Sequence, residues 1–116
     1  VIIGGDLTRT TLAAALRGLD AQREAHHQNV ANVETPGFRA LRVDFEDSLR
    51  RALNSGEPHA TSMTTRHSLD PTRLDGNNVR LDKELTALAE NGLRQQLMTE
   101  ALNAQYRLVR AVLERG

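Results

Sequence analysis

LDKELTALAENGLRQQLMTEALNAQYRLVRAVLER, residues 81–115, carries Leu81, Leu85, Leu88, Gly92, Gln95, Thr99, Leu102, Tyr106, Val109 and Leu113 at alternating steps of four and three. That stepping predicts one long helix, because side chains three and four apart share a helix face. At about 1.5 Å per residue the helix would run roughly 50 Å, longer than a compact domain of this chain's size would hold. A second stripe, Leu97, Ala101, Ala104, Leu108 and Ala111, starts two residues later, about 200° around the helix. Asn77 and Asn78 are candidate caps ahead of Leu81. Gly92 falls on the main stripe, and a glycine inside a helix costs about 1 kcal/mol against alanine. It is read as allowing a tight crossing rather than as a break.

Working towards the N-terminus, the same logic recurs. Leu12, Leu16, Leu19, Arg23, His26, Val30 and Val33 form a four-three seam with two polar members. Ala14, Gly18, Ala21, Ala25, Gln28 and Asn32 form a small-residue stripe nearly opposite. Thr35-Pro36-Gly37-Phe38 ends the segment as a predicted type II turn, with Pro36 turning Thr35 out of the helical region. Between the two long segments, Phe45, Leu49, Ala52 and Leu53 repeat with helical spacing behind Asp44, a candidate cap. Residues 54–78 are polar and punctuated by Pro58, Pro71 and Gly76, and are read as a long loop that packs on something outside this chain if it packs at all. The expectation is therefore an all-α fold in three parts. Residues 1–36 form an N-terminal helix and residues 79–116 a C-terminal helix, the two paired as an antiparallel coiled coil. Residues 37–78 hold the turn, a short helix and the irregular loop.

Two stripes per helix are one more than a hairpin can bury. Alanine is tolerated on wet helix surfaces because it is a good helix former. Leu97 and Leu108 favour a different account, in which both helices lie inside a multi-helix assembly. The intrachain seam is then Leu12, Leu16, Leu19, Val30, Val33, Leu81, Leu85, Leu88, Leu102, Tyr106 and Val109. The intersubunit face is Ala14, Gly18, Ala21, Ala25, Leu97, Ala101, Ala104 and Leu108.

Composition narrows the function. The 116 residues balance 15 Lys and Arg against 15 Asp and Glu, which argues against a nucleic-acid coat or a polybasic membrane binder. With only Phe38, Phe45 and Tyr106 as aromatics, base-stacking platforms are disfavoured. The absence of cysteine removes disulfides and thiolate metal sites. No apolar run approaches a membrane span, and Asp6 and Arg9 interrupt the apolar start, so no cleavable signal and no membrane insertion are expected. His26 and His27 are adjacent and point apart on a helix, with His26 on the seam as a partly buried imidazole. His59 and His67 lack flanking ligands, so no metal is expected. Asp44, Glu46 and Asp47 suit a helix dipole better than acid–base chemistry. No phosphate loop or nucleophile elbow appears, and no catalytic residue or cofactor is expected.

One polar constellation remains: Asn29, Asn32, Thr35 and Gly37. The two amides can hold loose carbonyls near the helix end or form interchain bonds that fix register, and composition leaves both open. The run Gln28-Asn29-Val30-Ala31-Asn32-Val33-Glu34-Thr35-Pro36-Gly37-Phe38 resembles the SNIANxxTPGF/Y signature of the bacterial flagellar rod and hook protein family, with Gln28 where Ser or Asn is usual. Residues 39–45, the run Gly76-Asn77-Asn78-Val79-Arg80-Leu81-Asp82-Lys83-Glu84-Leu85 and the run Ala101 to Arg107 are similar to the FlgB branch of that family. The likeness covers about residues 7–53 and 76–114.

The resemblance implies a non-enzymatic axial subunit of the proximal rod. Such subunits are exported without a cleaved signal by the flagellar type III apparatus and polymerise in the periplasm around the export channel. Their paired terminal helices carry the assembly, next to FliE, FlgC and further rod subunits, and the rod transmits torque. Asn29, Asn32, Thr35, Pro36, Gly37 and Phe38 are its family motif here. The rivals are a FlgC-type rod subunit, which the run Asn77 to Leu85 disfavours, and a soluble helical adaptor or export chaperone.

Overall fold

A computed structural model describes residues 2–115; Val1 and Gly116, the outermost residues of the two predicted helical parts, lie outside it. Helix α1 (Ile2–Ala31) is followed by strand β1 (Leu41–Asp44), helix α2 (Glu46–Asn54), a 3₁₀ turn at Pro58–Ala60, strand β2 (Thr64–His67) and helix α3 (Leu81–Arg115). The two long helices were legible from their four-three stepping. They lie antiparallel, as three contacts show: Arg9 sits over the Tyr106 ring, Asn91 bonds to the Leu19 carbonyl, and His26 meets Glu84.

The fold is mostly helical but not all-α. Strands β1 and β2 pair antiparallel, Leu41 opposite His67 and Asp44 opposite Thr64. The alternation that would announce them is missing, since β2 is exposed along its whole length and β1 is too short to show a period. The stretch 54–78, read as an irregular loop, thus holds a 3₁₀ turn and a strand. It also packs on its own chain: Ser68, Asn77 and Asn78 are buried, and the Ser68 amide donates to the Ala40 carbonyl at 2.7 Å.

Two cap assignments are corrected as well. Asp44 belongs to β1 and binds Arg66 at 2.7 Å, leaving buried Phe45 at the α2 N-cap position without a side-chain bond. Glu46 and Asp47 occupy the first turn of α2, where they complement the helix dipole. Asn77 and Asn78 stop short of α3 and bond elsewhere, as described below. Gly92 does not break α3, which is continuous. Nor does it mark a crossing within the chain, because a Cβ there would meet nothing within 4 Å.

The core is small and Ala-rich: Ala14, Leu19, Ala25, Ala40, Val43, Phe45, Ala52 and Val79. It lies along α1, which packs on α3, β1, α2 and the 3₁₀ turn. The molecule measures 66 × 26 × 13 Å with a radius of gyration of 17.9 Å, against about 13 Å for a compact 100-residue globule.

Candidate functional site

The predicted motif folds into a clasp at one end of the helix pair. Asn29 is fully buried, and its amide treats Leu41 as a neighbouring strand would. Its Oδ1 accepts from the Leu41 N–H at 2.7 Å and its Nδ2 donates to the Leu41 carbonyl at 3.0 Å. With Gln22 Nε2 donating to the Val43 carbonyl at 3.0 Å, α1 side chains cover the edge of β1 that β2 leaves open. Nδ2 of Asn29 also reaches Glu84 at 3.1 Å.

Glu84 is the hub. Its side chain is 1% exposed, yet it sits on three polar partners: His26 Nδ1 at 2.6 Å, Asn29, and Arg42 Nη1 at 3.0 Å. Burial pushes its carboxyl pKa up. The bonds from His26, Asn29 and Arg42, with the Arg42 charge, outweigh that and hold it below the usual carboxylate value. The cluster ties α1, β1 and the first turn of α3 to one carboxylate.

The turn after α1 is held from the other side. Phe38 N–H donates to the Thr35 carbonyl and Gly37 takes φ +77°, as the predicted Pro-Gly turn requires. Gly37 N–H donates to the Asp75 carbonyl at 2.8 Å, and a Cβ on Gly76 would stand 3.2 Å from the Gly37 Cα. Asn77, fully buried, donates to the Asn32 and Thr35 carbonyls at 2.9 and 2.8 Å and accepts from Val79 N–H at 2.7 Å. Asn78 accepts from Ala40 N–H at 2.7 Å and donates to the Ser68 and Asp70 carbonyls. Arg73 spans the Val79 and Val33 carbonyls at 2.7 and 2.6 Å. Asn32 Nδ2 donates to the Gln28 carbonyl at 2.8 Å, which also accepts the Asn32 backbone N–H, and its Oδ1 accepts from Thr35 Oγ1. Both motif amides therefore act inside the chain.

The face that α3 turns to α1 is rotated from its predicted position. On α3 the residues facing α1 are Glu84, Leu88, Asn91, Gln95, Met98, Leu102, Gln105 and Val109, themselves a four-three series. It shares Leu88, Leu102 and Val109 with the predicted seam, whereas Leu81, Leu85 and Tyr106 are exposed. On α1, Leu19 is buried and Leu12, Leu16, Val30 and Val33 are half-buried. Ala14, Gly18 and Ala25, predicted to face neighbours, are buried within the chain, and Ala21 is half-buried. The connecting segment occupies that side, with the Phe45 ring lying against Gly18 so closely that a Cβ there would overlap it. On α3 the other predicted face is open: Leu97, Ala101, Ala104 and Leu108 are exposed.

Sequence reasoning missed Glu84, Arg42, Asn91 and Arg73. The usable signal was Glu84, Asn91, Met98 and Gln105 recurring every seven residues one place before Leu85, Gly92, Thr99 and Tyr106.

Beside the clasp, a cleft of about 230 Å³ is lined by Gln22, His26, Arg42, Glu90, Asn91 and Arg94, among others. Gln22 and Asn91 spend their amides on the Val43 and Leu19 carbonyls, and the Arg42 and His26 bonds go to Glu84. Among the described residues no group of three His, Cys, Asp or Glu could hold a metal ion, and no helix is long and apolar enough to cross a membrane. What this end of the molecule offers is a fixed angle and register between two long helices.

No protein-family model matches the chain. It is 32% identical to the flagellar basal body rod protein FlgB of Escherichia coli (strain K12), over 90% of this chain and 96% of that one. It is 30% identical to the flagellar basal body rod protein FlgB of Bacillus subtilis (strain 168), over 94% and 95%. Against the protein of the same description from Borreliella burgdorferi the identity is 25%, over 83% and 87%.

Proposed function

This chain belongs to the FlgB family of flagellar basal body rod proteins and is a structural subunit of that rod, and we propose that its outward α3 face carries the subunit contacts. The supporting observation is an apolar stripe that no other described residue covers. Leu93, Leu97, Leu108 and Val112 are each more than half exposed, with Ala101 and Ala104 between them, over about 30 Å of helix. An apolar strip of that length on a solvated helix marks an interaction surface.

In this reading the paired helices behave as a coiled coil inside the rod, and the clasp holds them at a set register. The subunit works without catalysis, transmitting torque and contributing to the wall around the export channel. It reaches the periplasm through the flagellar type III apparatus without a cleaved signal, and its neighbours are further copies, FliE, FlgC and other rod subunits. Intersubunit contacts then lie on Leu97, Ala101, Ala104 and Leu108; Ala14, Gly18 and Ala25 serve the subunit's own packing, as half-buried Ala21 does in part.

The test is crosslinking from single cysteines at Leu16, Ala21, Ala104 and Leu108 in purified basal bodies. Crosslinks to other axial proteins are expected from Ala104 and Leu108. Ala104→Glu is expected to block incorporation while leaving the soluble chain's helicity unchanged. Normal rods carrying Ala104→Glu would sink the assignment of this face. A chain retained in the cytoplasm and absent from basal bodies would favour the adaptor or chaperone role.

A further inference from the structure

Gly92 is the residue of α3 that packing does not explain. It lies inside the longest helix, where glycine is a poor helix former, and a Cβ there would meet nothing within 4 Å. The residue before it is Asn91, which is buried. Its Nδ2 donates to the Leu19 carbonyl at 2.8 Å and its Oδ1 accepts from Gln95 Nε2 at 2.8 Å. Asn91-Gly92 is the one Asn-Gly pair in the chain. That dipeptide is the asparagine context most prone to ring closure, because glycine puts no side chain in the way of its own backbone nitrogen.

We propose that Asn91-Gly92 is a self-modification site that pairing of α1 with α3 protects, so that a chain modified before pairing is left out of the rod. In the unpaired chain the Gly92 nitrogen loses its proton and bonds to Asn91 Cγ. The Cγ–Nδ2 bond breaks, and Nδ2 leaves as ammonia. Water then opens the succinimide ring at either carbonyl, giving aspartate or isoaspartate at position 91 with no oxidant or reductant. The paired helix blocks each part of this. The Gly92 N–H is engaged in the continuous helix ladder, and Asn91 is held near the helical ψ of about −42°, away from the geometry that brings the nitrogen onto Cγ. Nδ2 is meanwhile fixed on Leu19.

Either product is unfit for the pair. Aspartate replaces the amide donor by a second acceptor facing the Leu19 carbonyl, at a position nearly closed to water, and leaves that carbonyl without its donor. Isoaspartate carries the main chain through the side-chain carbons and adds one methylene to the backbone, which interrupts the helical ladder at that residue. Closure in an open chain takes hours to days at growth temperature, so newly made chains escape it and stored ones do not. The inference goes beyond the rod reading and rests on it only in placing the paired helices inside the rod.

Mass spectrometry of the tryptic peptide 84–94, in which Asn91 is the one asparagine, reads the mass gain of one dalton. Three samples are incubated side by side in mildly alkaline buffer: the full chain in urea, its Gly92→Ala variant in urea, and purified basal bodies. Asn91 in urea should convert roughly tenfold or more faster than in either other sample, since alanine hinders the attack and the rod makes closure wait for the pair to open. Asn103, exposed on the same helix and followed by alanine, should stay slow in all three. Asn91→Asp, expressed in place of the wild-type chain, should lower its yield in basal bodies roughly tenfold through loss of one buried donor. Asn54→Asp, exposed at the end of α2, should not. Equal rates for the two chains in urea, or Asn91→Asp rods at the normal yield, would overturn the proposal. So would equal rates in urea and in rods, and amide hydrogen exchange over residues 84–94 of the same rods then separates two failures. Protected amides lose only this inference, whereas fast-exchanging ones lose the pairing of the helices in the rod as well.

Discussion

Glu84 shows how one residue can hold three elements. A buried carboxylate is costly unless its oxygens are bonded, and here His26, Asn29 and Arg42 supply the bonds. Because these partners hold its pKa below the ordinary value of 4.5, the folded state favours the ionised form more than the unfolded chain does. The resulting stability is fully present above the unfolded value and is lost as pH falls through the folded one. Urea unfolding from pH 7 to pH 3 should therefore show stability dropping below about pH 4.5, with much of that drop absent in Glu84→Gln. At pH 7 the same variant should be destabilised by about 2–4 kcal/mol, because Arg42 loses its counter-charge in a half-buried position. A Glu84→Gln chain with the native pH profile would show that the hub carries no charge-dependent stability.

Two glycines on the two long helices separate packing from propensity. Gly18 of α1 faces the Phe45 ring without room for a methyl group, whereas Gly92 of α3 faces open space. Gly18→Ala should destabilise by about 1–3 kcal/mol through overpacking, and Phe45→Leu added to it should return part of that loss. Gly92→Ala should stabilise by about 0.5–1 kcal/mol, since only backbone entropy and propensity change. Thermal melts of the three variants decide it, and equal effects from the two glycines would refute this placement of α1 against Phe45. The same helices show what was legible. Periodicity located both, together with the Pro-Gly turn, because these depend on local spacing. The rotation of α3 was misread by one residue because Leu85 and Tyr106 look like better seam residues than Glu84, Asn91 and Gln105. The latter face α1 all the same. Glu84 and Asn91 are buried because they bond across to α1 and β1, and such bonds join residues too far apart in sequence for any window to pair. The sheet was hidden for a related reason: β1 is completed by Asn29 and Gln22 from α1, not by a hydrophobic pattern of its own.

As a whole, the molecule is a narrow body 66 Å long with charge balanced to zero at neutral pH and an apolar stripe along one side. Near its isoelectric point of about 7.1 nothing long-range opposes association, so short-range contact between stripes dominates. Acidification adds net positive charge, which repels copies from one another, while the clasp survives because Glu84 stays ionised down to below 4.5. Light scattering should therefore find self-association strongest near pH 7 and weakest between about pH 5 and 6, with helicity constant across that range. Below about pH 4.5 the trend should reverse, because loss of the clasp frees the end of α3 and exposes Val79 and Phe45, which are buried in the intact subunit. Ala104→Glu should flatten the neutral maximum and leave the acid limb untouched, since it interrupts the stripe at a distance from the clasp. An acid limb that moved with Ala104→Glu would mean that clasp and stripe act as one unit, against the division of labour in which one end sets helix geometry and the outer face makes contacts.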